Sequence, residues 1–543
     1  MIARACQCFI NEKCFAGIGL RFEALQQIAL PLELEIGLPL HKRFSRHHVQ
    51  DLYTPQKCGV MGEQWQGARW GIWQGMRSPF DLFTSESNVL LVRLGELAGM
   101  FSSGGEWIQG KGPLFRYRYT LDSETRWKCA EWSLLLHQEK MDLEGQKDLW
   151  CEIFLAESER FRKAAGVKRE EVLPMANIPI DGGTPGCAPK LHLKMQGRFD
   201  IFAEKTLSLC DKLNFRRIMV GSPWISYRSL GMKVKALPSI TYDSRCGILD
   251  FKIASQYGGR EAFRIFCDKA HEKNMEVFVW YPGFHLANHS NYLSKHPEWI
   301  IRKADGSPFT WVYFHITAIS ARIEAQRHFI NLLKRLKKDC HFDGLWLDSY
   351  NSMPFMSLDF SRKQGVANTA DAIAMVKRLQ DIGLKIINEG YSPFGARGDG
   401  ESMFFLGQEE MAVETSLFTY YKNNPAILKD HAYFRFLANK APLTVAAKYL
   451  PKGKMKKIGE WNRAFNQAVK HMIHRHLLKN KRGVIWRDEK GVEILFAYRN
   501  FQHKLLQRAS VIDLISDKLI KCKKSMGAKK MKIYKIDADL ALE

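Results

Sequence analysis

The sequence predicts an α/β protein in which a (β/α)8 TIM barrel lies between an N-terminal β-sandwich-like domain and a small C-terminal β domain. From about residue 172 onward, short apolar runs alternate with amphipathic segments, the pattern of parallel strands joined by helices. Before about residue 170 the pattern has period two and is rich in aromatic residues, and after residue 480 hairpin-like strands return. We therefore expect domains at residues 1–170, 171–480 and 481–543.

The N-terminal and C-terminal regions both show strand patterns. The run 115–119 alternates between aromatic and basic residues, and the run 130–136 is apolar enough for a buried strand. Near the C-terminus, the runs 483–487 and 492–498 flank the turn residues 488–491, which predicts a hairpin. A last strand is expected at 532–536.

The central region contains the repeat that predicts the barrel. Its expected strands are 176–181, 217–220, 275–280, 345–347, 384–387 and 403–406, and its expected helices are 199–213, 261–272, 321–340, 370–382 and 460–478. Two further strands are expected between about 425 and 450. Eight strand–helix units in roughly 300 residues fit a barrel, and right-handed crossovers make the strands parallel.

The predicted barrel is organised around one stretch, His341–Tyr350, which contains a short buried strand that ends on a carboxylate. Leu345 and Leu347 flank Trp346, and this run is too short and too apolar for an amphipathic helix. Asp348 comes where the apolar run stops. Because barrel enzymes keep their catalytic side chains at the carboxyl ends of the strands, we interpret Asp348 as catalytic. The alternative is a turn residue or a helix N-cap.

Other carboxylates follow the neighbouring strands. Glycoside cleavage needs two carboxyl groups, one ionised to attack the anomeric carbon and one protonated to donate to the leaving oxygen. Neighbouring strands lie about 5 Å apart, so Asp348 with Glu389, or with Glu409 or Glu410, meets this requirement. Repulsion between two such groups raises one pKa, which suits an acid catalyst.

Aromatic and imidazole side chains near the strand ends are candidates for binding a sugar, because the apolar faces of sugars stack on aromatic rings. The alternative is that these rings belong to the core, and that the histidine is structural. The candidates are Trp224, Trp280, Tyr281, His285, Trp346 and Tyr350.

Composition limits the other functions. The net charge of +24 comes from 81 Lys plus Arg against 57 Asp plus Glu, spread along the chain, and we interpret it as a basic solvated surface rather than a nucleic-acid site. The 12 cysteines lack zinc-site spacing, so we expect free thiols, no metal and no cofactor. No run reaches the roughly 18 apolar residues of a membrane span. With no convincing signal peptide, a cytoplasmic location is expected.

Several motifs in this central region resemble a known family. His271–Met275 with Trp280–Pro282, the Tyr292–Trp299 loop, Gly344–Asp348 and Asn388–Gly390 follow one another in the order found in the α-galactosidase-like clan of glycoside hydrolases. The resemblance is to the melibiases of family 36, with features of the α-glucosidases of family 31. It covers residues 172–414 and implies a TIM barrel, a retaining mechanism on an α-linked sugar, and Asp348 as the nucleophile.

The sequence also departs from this family. Gly221 and Ser222 stand where melibiases have the paired aspartates that bind galactose, and Trp346 replaces a lysine. The family has its acid after the sixth strand, where Glu409 and Glu410 are the first choice. Glu389 is the alternative. A barrel that binds a glycan or anionic polymer without catalysis, and a transglycosidase acting on an acidic polysaccharide, are the rival functions.

Overall fold

A computed structural model gives the structure of part of the chain. It describes residues 2–10, 13–23, 32–39, 45–47, 80–84, 88–94, 103–108, 114–121, 129–138, 156, 163, 166–168, 170–178, 180, 197–232, 234–237, 240–242, 247–303, 305–310, 316–348, 358–361, 366–367, 369–388, 433–434, 437–438, 440, 452–478, 482–504, 509–522 and 525–536.

The N-terminal part of the described chain consists of antiparallel strands. These are β1 Ile2–Ile10, β2 Lys13–Glu23, β3 Leu32–Pro39, β4 Ser45–His47, β5 Phe80–Thr84, β6 Asn88–Leu94, β7 Ser103–Ile108, β8 Leu114–Leu121 and β9 Cys129–Gln138. They form a six-stranded sheet, β1-β2-β9-β6-β5-β4, and a three-stranded sheet, β3-β8-β7. The strands predicted at 115–119 and 130–136 are confirmed, whereas the domain boundary at 170 stays a prediction.

The central part alternates strands and helices. Its strands are β10 Met175–Ile178, β11 Arg217–Val220, β12 Trp224–Ser226, β13 Val234–Leu237, β14 Ile240–Tyr242, β15 Ile248–Ile253, β16 Glu276–Tyr281, β17 His285–Ala287, β18 Ile316–Ala318, β19 Gly344–Leu347, β20 Leu358–Asp359, β21 Val366–Ala367 and β22 Lys385–Asn388. Its helices are α1 Phe199–Lys212, α2 Gly259–His271, α3 Asn291–Lys295, α4 Ile323–Cys340, α5 Thr369–Asp381 and α6 Lys452–Ala468, with single 3₁₀ turns at Ser255–Tyr257, Pro297–Trp299 and Val469–His471.

Five of these strands form one parallel sheet in the order β10-β11-β16-β19-β22, which is also their order along the chain. Each strand therefore adds to the same growing edge, as it does in a singly wound barrel. The sixth strand predicted at 403–406 lies outside the described residues. Between 425 and 450 the structure describes only residues 433–434 and 437–438, which are helical, and residue 440, so the two strands predicted there stay a prediction. Closure into an eight-stranded barrel stays a prediction.

The helix predicted at 460–478 is wrong in its bounds. Helix α6 begins at Lys452 and ends at Ala468, and a 3₁₀ turn follows. The chain then forms strand β23, His474–Leu477, which pairs antiparallel with β24, Gly483–Arg487. The apolar residues continue at helical spacing to Met472. The helix nevertheless ends earlier, because residues 474–477 make their backbone hydrogen bonds with strand β24 instead.

The C-terminal part is a β-sheet that begins inside the region assigned to the barrel. Its remaining strands are β25 Glu493–Ala497, β26 Phe501–Lys504, β27 Ala509–Asp513, β28 Lys518–Cys522, β29 Ser525–Ala528 and β30 Lys532–Ile536. The main sheet has the order β23-β24-β25-β30-β27-β28, and β26 pairs with β29. The predicted hairpin and the predicted last strand are confirmed.

A single apolar core joins the parallel sheet, its helices and one face of the C-terminal sheet. Trp486 of β24 and Phe496 of β25 belong to the same buried cluster as the parallel strands and helix α6. Residues on the other face of the C-terminal sheet, such as Leu495, form a second cluster with the β26–β29 pair. None of the described helices is long and apolar enough to cross a lipid bilayer.

Candidate functional site

One face of the parallel sheet carries charged residues at the start of its strands. Arg217 donates hydrogen bonds from Nε and Nη2 to Glu276 Oε2 at 3.0 and 2.8 Å, and Lys385 contacts the same carboxylate. The Arg217 guanidinium also lies 4.6 Å from the centre of the Phe278 ring. Since side chains alternate along a strand, Glu276, Phe278 and Trp280 share this face.

Aromatic rings follow these charges along the same face. Gly344 of β19 lies opposite Phe278, and a Cβ atom at Gly344 would meet that ring at 2.5 Å. Trp280 and Trp346 are paired positions of β16 and β19, and both indoles are buried. The Trp346 Nε1 atom is shielded from solvent and has no hydrogen-bond partner among the residues that the structure describes. Trp346 therefore belongs to the core. It precedes Asp348 by two positions, so both side chains lie on the same face of the sheet.

Asp348 is the first residue after β19, at the carboxyl end of the sheet. Its backbone N–H donates to the Tyr281 carbonyl oxygen at 2.9 Å, which extends the ladder between β16 and β19 by one step. The residue is 8% exposed. A carboxylate at a strand end, largely withdrawn from water and beside aromatic rings, is suited to act on a bound substrate, because electrostatic interactions strengthen where water is excluded.

Two of the candidate sugar-binding rings lie inside the structure. Trp224 is fully buried, and its Nε1 donates to the Trp280 carbonyl oxygen at 2.7 Å. Tyr281 follows Trp280, so it lies on the opposite face, where its ring centre is 5.2 Å from that of Phe251. Burial raises the pKa of the Tyr281 hydroxyl. In this arrangement neither ring offers a face to a sugar, and their role in binding stays a prediction.

The histidines near the third parallel strand differ in burial: His285 is buried, whereas His289 is exposed. His285 begins strand β17, pairs with Ala318 of β18 and is buried. His289 accepts or donates a hydrogen bond at Nδ1 with the Tyr227 hydroxyl at 2.7 Å, and burial raises the pKa of Tyr227. Within the described chain no three His, Cys, Asp or Glu side chains come together as metal ligands. These contacts fix the loop after β16.

The structure brings together only some of the predicted site residues. Asp348, Trp346 and Trp280 share one face near the carboxyl end of the sheet. Trp224, Tyr281 and His285 are buried away from this face. Four predicted members lie outside the described residues, namely Tyr350, Glu389, Glu409 and Glu410. Ser222, at a position where the resembling family has a sugar-binding aspartate, is fully buried, and its Oγ has no hydrogen-bond partner in the described part of the chain.

The structure contains a cavity that the sequence did not predict. A cavity of about 450 Å³ lies between the loop before α4 and the short strand β20, lined by residues such as Trp299, Arg302, Arg322 and Asp359. These residues are scattered over more than sixty positions and form no motif. Only the fold brings them together, so no sequence signal could have identified the cavity.

Comparison with solved structures shows a likeness in fold to an α-galactosidase. No family model matches the chain. The structure of the family 36 α-galactosidase AgaA from Geobacillus stearothermophilus in complex with stachyose has a TM-score of 0.53 and 8% identity, over 97% of this chain and 77% of that one. The structure of the same enzyme in complex with raffinose has a TM-score of 0.52 and 8% identity, over 96% of this chain and 77% of that one. At these identities the likeness concerns the fold alone.

Part of the chain is similar in sequence to a characterised enzyme. A 1,4-α-glucan branching enzyme from Lactiplantibacillus plantarum is 26% identical over 146 residues, which is 24% of this chain and 22% of the branching enzyme. The chain thus matches about a fifth of that relative's length. The fold therefore resembles that of the α-galactosidase AgaA, and the activity and substrate of this chain are matters for proposal.

Proposed function

We propose that this protein is a retaining glycoside hydrolase that cleaves an α-linked sugar, with Asp348 as the nucleophile. The observation that supports this most is the position of Asp348 directly after the fourth strand of a parallel sheet, at the end where barrel enzymes keep their catalytic groups. The whole-chain likeness to an α-galactosidase adds support at the level of the fold.

The second carboxyl group is proposed from the resemblance. Glu410 or Glu409 would protonate the leaving oxygen, and Glu389 is the alternative because it directly follows β22, the neighbour of β19. A retaining enzyme needs the two carboxyl groups about 5–5.5 Å apart. Tyr350, and Trp346 two positions before Asp348, would then contact the sugar.

Transfer to a sugar acceptor is a second candidate function. The match to a branching enzyme favours it, because such enzymes break an α-glucosidic bond and form another. Hydrolysis and transfer share the first bond-breaking step, so both are compatible with Asp348 as nucleophile. Galactose as the substrate gains no support from Gly221 and Ser222.

A substrate panel tests the proposal. Nitrophenyl α- and β-glycosides, raffinose and maltoheptaose are incubated with the full chain, and the products are separated by chromatography. We expect release from one α-glycoside series and none from the β series. Longer products from maltoheptaose would indicate transfer. The absence of turnover on every member would favour the rival function, a barrel that binds a glycan without cleaving it.

Single substitutions test the residues. Asp348→Asn keeps the shape of the side chain and removes the attacking charge, so we expect kcat to fall on the order of 10⁴-fold or more. An alanine at the general acid lowers kcat about 10²–10⁴-fold on substrates with poor leaving groups and much less on nitrophenyl glycosides. Azide should rescue only that acid variant, which separates Glu410, Glu409 and Glu389. Full activity of Asp348→Asn would refute the assignment of the nucleophile.

A further inference from the structure

The C-terminal sheet carries exposed lysines without acidic partners. Eight lysines and no acidic residue occur between positions 518 and 535. Four of these lysines are exposed and make no ion pair with any residue that the structure describes, namely Lys518, Lys521, Lys529 and Lys530. Their positive charge is therefore not neutralised within the described part of the chain, and it is available to an anionic partner.

The acidic residues that precede these lysines in the sequence have other partners. Asp513, the last residue of β27, forms an ion pair with Lys532, and Asp517 forms one with Arg463. Asp513 is also buried, and it accepts a hydrogen bond from the Ser516 hydroxyl at 2.7 Å. Both carboxylates are therefore compensated by cations other than the four exposed lysines.

Three of the four lysines lie at one end of the sheet. Asp513 of β27 lies opposite Lys518 of β28 on one side and opposite Tyr534 of β30 on the other. Because neighbouring strands are about 5 Å apart, the backbones of Lys518 and Tyr534 are about 10 Å apart. Lys529 and Lys530 precede β30, whose first residues lie at this same end. The turn before β30 and the start of β28 thus place positive charges side by side.

Strand β28 adds apolar side chains to this charge. It pairs only with β27 among the described strands, so it forms an edge of the sheet. Between Lys518 and Lys521, Leu519 is 63% exposed and Ile520 is 37% exposed. Since side chains alternate along a strand, Leu519 and Ile520 point to opposite faces, and the edge itself presents both. We call residues 518–521 together with Lys529 and Lys530 the lysine patch.

The composition of the lysine patch distinguishes between anionic partners. Single-stranded nucleic acids stack their bases on exposed aromatic rings, but Tyr534, the only aromatic residue between positions 518 and 536, is 3% exposed. Arginine, which pairs with individual phosphates through two parallel hydrogen bonds, does not occur in this segment. Lysine is a point charge on a flexible chain, which suits a surface whose negative charge is spread over many groups.

We propose that the lysine patch binds the surface of a lipid bilayer that contains anionic lipids. Such a surface attracts clusters of lysines, and its headgroup region also accepts apolar side chains. The four lysines contact the headgroups, and Leu519 and Ile520 enter the boundary between headgroups and acyl chains. The free backbone groups of the edge strand stay at the level of the headgroups, where water still satisfies them. This binding goes beyond the activity proposed for Asp348 and does not depend on it.

Vesicle binding by the full-length protein tests the proposal. Cosedimentation is measured with vesicles of phosphatidylcholine alone and with vesicles that also contain phosphatidylserine, and anisotropy is measured with labelled single-stranded RNA and labelled heparin. We expect binding to the vesicles with phosphatidylserine to be at least about 100-fold tighter than to phosphatidylcholine alone, and to weaken as salt is added. Equal binding to the two kinds of vesicle, tighter binding to RNA or heparin, or no binding to either vesicle would overturn the proposal.

Two sets of lysine substitutions with the same effect on net charge locate the binding surface. The patch variant replaces the four lysines of the lysine patch with glutamine, and we expect its binding to vesicles with phosphatidylserine to weaken about 10²–10³-fold. The control variant replaces four exposed lysines of helices α1 and α4 with glutamine and should bind nearly as the wild type does; these are Lys205, Lys212, Lys334 and Lys338. Equal weakening in both variants, with circular dichroism showing both folded, would refute the site.

An apolar substitution separates a membrane from other anionic partners. Leu519→Ala should weaken vesicle binding by up to about tenfold, because less apolar surface enters the bilayer, and should leave any binding of RNA or heparin unchanged. Vesicle binding by Leu519→Ala at the wild-type strength would contradict the insertion of the edge strand.

The same measurements separate this proposal from the proposed hydrolase activity. Asp348→Asn should bind the vesicles as the wild type does, and the patch variant should turn over soluble nitrophenyl glycosides as the wild type does. A chain without turnover that still binds vesicles through the lysine patch would support the surface and refute only the activity. Turnover without vesicle binding would do the reverse.

Discussion

At the scale of single residues, Gly344 shows how closely the strands of the parallel sheet pack. A Cβ atom there would lie 2.4 Å from the Lys385 carbonyl oxygen and 2.5 Å from the Phe278 ring. The carbonyl belongs to a neighbouring strand and cannot move without disturbing the ladder. The absence of a side chain at Gly344 therefore permits the spacing that brings Trp346 and Asp348 to the end of β19.

This close packing predicts the effect of Gly344→Ala. We expect the free energy of unfolding to fall by about 1–3 kcal/mol or more, because the added methyl group overpacks the sheet. Gly453→Ala is the control, since a Cβ atom at Gly453 meets nothing within 4 Å in helix α6, and it should be neutral or stabilising by up to about 1 kcal/mol. Urea unfolding measures both. Equal stability of the two variants would contradict the close approach.

Buried thiols give a second prediction at this scale. Burial raises the pKa of Cys210 to about 12 and that of Cys267 well above its ordinary value. Cys14 is exposed. Since the thiolate is the reactive form, iodoacetamide at pH 8 should modify Cys14 more than about 100-fold faster than Cys210 or Cys267. Mass spectrometry of each cysteine measures this, and the difference should vanish in denaturant. Comparable rates in the native protein would show that the helix interfaces open readily.

At the scale of elements, the sequence pattern locates those with strong periodicity. The bounds of β11 and β30 are as predicted, and those of α1, α2, α4 and α5 agree within two residues, because their amphipathic or apolar patterns agree with their burial. Helix α6 was placed eight residues too late, since the pattern does not show that residues 474–477 pair with β24. Tertiary pairing of this kind is not encoded in local periodicity.

The candidate site also has features that the local sequence predicts and features that depend on tertiary structure. The position of Asp348 after an apolar run is a local feature, and the structure places it at the end of β19 as expected. Which face a ring occupies depends on the register between strands. Tyr281 and Trp280 are adjacent in sequence, yet only Trp280 shares the face of Trp346. The cavity at Arg322 depends on contacts between distant loops, which explains why the sequence did not indicate it.

The ion pairs at the start of the parallel strands make stability depend on pH. Burial would raise the pKa of Glu276, but Arg217 and Lys385 outweigh this, and the pKa falls below its ordinary value of 4.5. A lowered native pKa stabilises the fold above pH 4.5, and this contribution is lost as pH falls through the native pKa. Glu276→Gln should therefore be less stable than the wild type at pH 7 and lose less stability on acidification below pH 4.5.

A control separates this effect from general acid sensitivity. Glu261 has a lowered pKa because of its hydrogen bond with Arg264, but the pair is exposed on helix α2. Exposed pairs contribute little to stability, so Glu261→Gln should follow the wild type across the pH range. Thermal unfolding at pH 3–7 compares the three proteins. Parallel curves for Glu276→Gln and the wild type would show that the cluster makes no net contribution.

At the scale of the whole molecule, the net charge and the apolar core have opposite effects on the stability of the folded state. A net charge of +24 favours solubility and disfavours compaction through self-repulsion. Eight lysines and no acidic residue occur between positions 518 and 535, and the edge strand β28 exposes both Lys518 and Lys521. Charged edge strands resist pairing with other chains. The repulsion must be offset by the apolar core, which continues from the parallel sheet into the C-terminal sheet.

That shared core predicts coupled unfolding. Trp486 of β24 is fully buried in the cluster that includes the parallel strands, and its Nε1 donates to the Ala438 carbonyl oxygen at 2.7 Å. Trp486→Ala removes this hydrogen bond and leaves a large cavity, so we expect a loss of about 3–5 kcal/mol. Because the cluster belongs to both parts, the central and C-terminal regions should unfold in one transition that shifts as a unit.

An exposed leucine provides the control for Trp486→Ala. Leu519 on edge strand β28 is 63% exposed, so Leu519→Ala should change stability by no more than about 0.5 kcal/mol. Circular dichroism follows the whole chain during urea unfolding, and hydrogen exchange read by mass spectrometry follows β16 and β25 separately. Equal destabilisation of β16 and β25 by Trp486→Ala would support one cooperative unit. If Trp486→Ala destabilised only β25, the C-terminal sheet would be an independent unit that rests on the barrel without supporting it.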